Sequence, residues 1–130
     1  MWRRLTPRII DGGETHSAAF REISTLFDDI RQLLDAPARG DGAPSLSRVE
    51  ETLTTGYAHA LALDAERWRL ERRLDEVVAH TAQGQDEASA ELVVLTTRLN
   101  AADGELESLR ALLKPLRRRA AELRRAQPQN

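Results

Sequence analysis

The chain has no cysteine, so disulfides, thiolate metal sites and cysteine nucleophiles are all excluded, and cysteine usage says nothing of the redox compartment. Aromatic residues are scarce at 4%, five side chains in 130 residues, which argues against a thick globular core filled by large rings. Lysine is nearly missing as well: Lys114 stands alone beside 18 arginines, a skew that together with abundant alanine fits a GC-rich bacterial genome. Long apolar runs are absent. Nothing approaches the ~20 consecutive apolar residues a membrane-spanning helix needs, and the basic start Met1-Trp2-Arg3-Arg4 is followed by no apolar stretch of the secretory kind. The cytoplasm is therefore the expected location. No phosphate-binding glycine loop occurs. His16, His59 and His80 lie on separate segments, and carboxylates adjacent in sequence, such as Asp28 and Asp29, point about 100° apart on a helix. The reading is that the protein is not an enzyme and takes no cofactor or metal.

What is present is helix-forming material: 41% hydrophobic and 31% charged residues, rich in Ala, Leu, Glu and Arg, with a formal net charge of −2. Two ladders of apolar or small residues step by three and four. The first is Leu46, Val49, Leu53, Gly56, Ala60, Leu63, Arg67, Leu70, Leu74 and Val77; the second is Leu92, Leu95, Leu99, Ala102, Leu106, Leu109, Leu113, Leu116, Ala120 and Leu123. This is coiled-coil spacing, interrupted only by Arg67. Folded back so that Val77 meets Leu92, every rung finds a rung, Gly56 faces Leu113, and the midpoint falls at Gly84–Gln85. The expected fold class is all-α: an antiparallel coiled-coil helical hairpin over residues 46–126, turning near 82–86, with a shorter third helix packed near its open end.

That shorter helix is expected at 14–36, after a flexible arm over 1–13. Phe20, Ile23, Phe27, Ile30 and Leu34 form one stripe and Ala19, Leu26 and Leu33 a second beside it, a face wide enough to need two neighbours. Pro37 and Pro44, with Gly40 and Gly42 between them, mark a linker over 37–45. Ser45 or Ser47 should cap the next helix, the latter with Glu50 at capping-box spacing. That helix carries an extra stripe, Tyr57, Leu61, Ala65 and Trp68, whose expected cover is the first helix. Pro115 is expected to kink the last helix without ending it, because the ladder keeps phase across it; 127–130 is tail.

Two groups are candidates for partner binding. Val78, Val93 and Val94 are apolar positions flanking the ladder where no third helix is expected to cover them. Arg110, Lys114, Arg117, Arg118, Arg119, Arg124 and Arg125 form a basic segment opposed only by Glu122, and its last five arginines are the candidates. Nucleic acid is disfavoured as its target by the net charge of −2, by the lack of aromatics interleaved in the run, and by the acids Glu50, Glu51, Glu22, Asp28 and Asp29 expected alongside. The functional expectation is a non-catalytic bacterial helical adaptor or regulatory protein that binds another protein through helix faces. The alternatives are a structural coiled-coil oligomer, of which a homodimeric rod is one form, and a nucleic-acid-binding protein using the C-terminal arginines.

Overall fold

The structure, a computed structural model, describes residues 22–82 and 86–127; the arm over 1–13, the start of the first helix near Glu14, the turn at Gly84–Gln85 and all but the first residue of the tail lie outside them. Among the described residues every regular element is an α-helix: α1 over 22–35, α2 over Leu46–Thr81 and α3 over Asp86–Ala126.

Local chemistry sets the helix ends. α1 stops at residue 35, two residues before Pro37. In the connection that follows, Gly40 and Gly42 take φ of +78° and +91°, the left-handed region that side-chain-bearing residues avoid, and the Ala43 N–H donates to the Gly40 carbonyl at 3.1 Å. The two glycines thus serve a turned connection. α2 is capped by Ser45, whose extended backbone lets its hydroxyl oxygen accept from the Arg48 N–H at 3.1 Å. Ser47 lies inside the helix, so the expected box with Glu50 is not used: the third helical position belongs to Arg48. α3 runs unbroken through Pro115, and the rungs on either side of it, Leu113 and Leu116, are both buried.

Every rung of both ladders is buried or half-buried. Gly56 faces Leu113 so closely that a Cβ there would overlap the leucine's Cδ2. Arg67 reaches Asp103, Arg73 reaches Glu91 and Arg124 reaches Glu50, so contacts join α2 and α3 over most of their lengths. The core falls into two clusters on either side of Arg67. One joins Leu70, Val77, Ala88, Leu95 and Ala102 from α2 and α3; the other joins Val49, Leu53, Leu106, Leu109, Leu113 and Leu116 with Ile23, Leu26, Ile30 and Leu33 of α1. Both stripes of α1 are thus used, with Phe27 and Leu34 packed at the margin.

α1 does not cover Tyr57, Leu61, Ala65 and Trp68. It lies on the other flank of the α2 ladder, where Glu22, Thr25, Leu26 and Asp29 face Arg48, Glu51, Thr52, Thr55 and His59 across a shallow groove. The reason is legible on α3. The flank that α1 occupies offers half-buried Leu112 and the guanidinium of Arg119, which donates to the carbonyls of Leu33 (3.2 Å), Leu34 (3.2 Å) and Ala36 (3.0 Å). Those carbonyls end α1 and have no partner within it, so Arg119 serves as a C-terminal cap. The opposite flank of α3 presents Arg110, Lys114 and Arg117, whose charges an apolar helix face would have to desolvate.

Candidate protein-binding face

Because α1 takes the other side, the extra stripe of α2 faces solvent. Tyr57 is 40% exposed, Leu61 72% and Trp68 58%, with exposed Ala65 between the last two. Positions 57, 61, 65 and 68 fall on one side of a helix, so the stripe is straight and about 16 Å long at ~1.5 Å per residue. Arg72 lies over the Trp68 ring, its guanidinium carbon 4.8 Å from the ring centre, and holds one end of the stripe in place.

Beside this stripe the groove between α2 and α3 has Ala60 and Leu113 in its floor, Tyr57, Leu61 and Asp64 on one wall, and Arg110, Lys114 and Arg117 on the other. Its volume is about 470 Å³. The Gly56–Leu113 contact sets the spacing of the walls, since a glycine lets the two backbones approach. Arg110 is weakly held by Asp64 at 3.9 Å, whereas Lys114 and Arg117 have no ion-pair partner among the described residues. Farther along α2, Asp64 and Glu71 balance Arg67, whose buried Nε lies 2.9 Å from Asp103 without the alignment of a hydrogen bond.

The five arginines singled out in the sequence separate into two kinds. Arg119 is 17% exposed and committed to α1, with Glu122 3.6 Å away. Arg124 donates twice to Glu50 Oε2, at 2.6 and 3.2 Å. Arg117, Arg118 and Arg125 are exposed, Arg117 in the groove and Arg125 beside Arg39 and Glu122. Of the acids expected alongside the run, only Glu50 engages it. Asp28 pairs with Arg31 at 3.8 Å and Glu51 with Arg48 at 3.9 Å, each within its own helix, while Asp29 pairs with Arg48 at 3.7 Å and Glu22 lines the groove between α1 and α2 because α1 lies against the Arg48 flank.

Val78, Val93 and Val94 are all exposed. Near them Arg73 grips Glu91 with two hydrogen bonds (2.9 and 3.1 Å) and Glu76 with a third (3.0 Å), contacts that push its pKa further up, Glu91 first and Glu76 after it. Of the groove residues, Arg110 and Lys114 belonged to the basic segment read from the sequence, whereas Tyr57 and Leu61 did not emerge as part of a site. The stripe was visible, but its exposure depended on where α1 lay, and its pairing with the cations of α3 joins residues some fifty positions apart. No aromatic is interleaved in the basic run along the sequence, yet in space Tyr57 lines the same groove as Arg117.

Among the described residues no group of three or more His, Asp or Glu side chains is arranged to hold a metal ion, and no helix is long and apolar enough to cross a membrane. Comparison of the chain with protein-family models, with curated proteins and with solved structures finds no match.

Proposed function

We propose that this chain is a non-catalytic helical adaptor or regulatory protein of the bacterial cytoplasm, binding another protein through exposed helix faces. The observation that carries the reading is the exposure of Tyr57, Leu61, Trp68, Val78, Val93 and Val94 in a chain whose two ladders are already buried. Large apolar side chains aligned on a helix face are stabilised when a partner removes them from water, by roughly 25 cal/mol per Å² covered. The scaffold in this reading is an antiparallel coiled-coil hairpin of α2 and α3 with α1 near its open end. Its support is the set of partners within one chain: Glu50 with Arg124, Gly56 with Leu113, and Arg67 with Asp103.

Two experiments test these statements. Cysteines at Leu74 and Leu95 crosslink within one chain under mild oxidation if the hairpin is right, whereas bonds formed only between chains favour the rod. Photo-crosslinking residues placed singly at Leu61 and at Val93 in the native host form a defined protein adduct if the adaptor reading is right. Absence of adducts from both positions refutes it.

A further inference from the structure

We infer that the groove between Tyr57–Leu61 of α2 and Arg110–Lys114–Arg117 of α3 is the seat of an acidic amphipathic helix of a partner protein. This rests on the adaptor reading and names the partner's chemistry. Three features select a helix with acidic flanks.

The first is shape. Tyr57, Leu61, Ala65 and Trp68 make a straight stripe about 16 Å long, the length of three helical turns, and the groove beside it shares Leu61 and Asp64 with a second hollow that reaches Trp68 and Glu71. A helix laid there sets apolar residues spaced by three and four against the stripe, the usual register of helix-in-groove recognition.

The second is charge. Lys114 and Arg117 stand along one wall without an ion-pair partner among the described residues, and Arg110 has only Asp64 at 3.9 Å. Carboxylates on one edge of the docked helix would meet these cations. The other edge lies over Ala58, Ala62 and Ala65, all exposed and small, which let a second backbone come close.

The third is the exclusion of other occupants. A second copy of this chain, docked groove to groove, sets the basic wall against its own duplicate, and the one carboxylate among the residues lining the groove, Asp64, already lies beside Arg110 at 3.9 Å. The chain's own first 13 residues hold three arginines against Asp11, the wrong sign for this wall. A nucleic-acid strand would find Tyr57 to stack on. The next ring along the stripe, that of Trp68, already has one face under Arg72, which leaves fewer bare aromatic faces than a single strand stacks on.

The test uses the full chain and two labelled helical peptides of about 18 residues. Each carries leucines spaced to match the stripe; one has Glu on both flanks, the other Lys at the same positions. A single strand of oligothymidine is the third probe. The Glu peptide should bind at least about tenfold more tightly than the Lys peptide, with the difference shrinking as salt is raised. Leu61→Asp should weaken it about tenfold, and the double substitution Lys114→Glu with Arg117→Glu should reverse the preference in favour of the Lys peptide. All of these side chains are exposed, and circular dichroism checks that helicity is unchanged. Equal binding of the two peptides, tighter binding of oligothymidine than of the Glu peptide, or a dimer of this chain lost on Leu61→Asp would each overturn the assignment. Photo-crosslinking separates this proposal from the adaptor reading. Adducts from Val93 with none from Leu61 leave the adaptor standing and remove the groove, whereas adducts from neither position remove both.

Discussion

Gly56 and Gly104 both lie inside long helices, yet the same substitution should stabilise only at the second. Replacing a mid-helix glycine with alanine ordinarily stabilises by about 0.5–1 kcal/mol, because the unfolded chain loses conformational freedom. At Gly104 nothing lies within 4 Å of the added methyl, so that gain should appear in full. At Gly56 the methyl would overlap Leu113 Cδ2 and lie 3.4 and 3.5 Å from Cγ and Cδ1 of the same residue. Leu113 is buried in the three-helix cluster and has little space to turn into, so either its rotamer or the separation of α2 and α3 must change. Overpacking of this kind costs about 1–3 kcal/mol, which leaves Gly56→Ala neutral to about 2 kcal/mol destabilising once the propensity gain is subtracted. The two variants should therefore differ by about 1–3 kcal/mol, or roughly 4–12 °C in thermal midpoint for a chain of this size. Urea and thermal unfolding followed by circular dichroism measure this directly. A double-mutant cycle sharpens it: Leu113→Ala alone should cost about 2–5 kcal/mol, and distinctly less in the Gly56→Ala background, because the overlap has been removed. If Gly56→Ala stabilises as much as Gly104→Ala, with no coupling to Leu113, the close approach of the two helices at this rung is wrong.

Further expectations concern α1 and the seam. Arg119→Ala removes three bonds from the end of α1 and should destabilise by about 2–3 kcal/mol, with hydrogen exchange rising first in residues 22–35; Arg119→Lys should restore little, since an ammonium lacks the planar fork. Unchanged exchange in α1 would refute the capping role. Deleting residues 1–36 uncovers Val49, Leu53 and Leu109 and should lower the unfolding midpoint, yet leave Trp68 emission unchanged when both chains carry Trp2→Phe, because Trp68 is already exposed; a red shift would mean α1 does cover it. Arg67→Leu should be neutral or stabilising by up to about 2 kcal/mol, since the arginine's Nε is buried without an aligned acceptor. A loss above about 1 kcal/mol in urea unfolding would show that the Arg67–Asp103 pair contributes more than its burial costs.

Much of the chain's local organisation is legible in the residue pattern. The ladders from Leu46 and from Leu92 name the buried rungs because a residue repeated every three or four positions returns to one side of a helix, whatever that side meets. Pro37, Ser45 and Thr81 mark helix ends for equally local reasons: a ring that cannot continue a helix, a hydroxyl that can cap one, and the last residue before the stretch containing Gly84. The double stripe of α1 likewise announced that it would pack between two neighbours. The flank it would choose was not legible. On α2 alone, Tyr57, Leu61 and Trp68 form the more apolar flank and the natural seat for a helix, whereas Thr52, Thr55 and His59 form the poorer one. The choice was made by α3, which brings Leu112 and Arg119 to the second flank and three hydrated cations to the first. A helix lying in a groove must satisfy both walls, and the two walls here come from residues some fifty positions apart, beyond the reach of any periodicity. The exposed aromatic stripe and its basic border follow from that choice, so the candidate binding face exists only in the tertiary structure, whereas the seam beneath it was already written in the spacing of leucines.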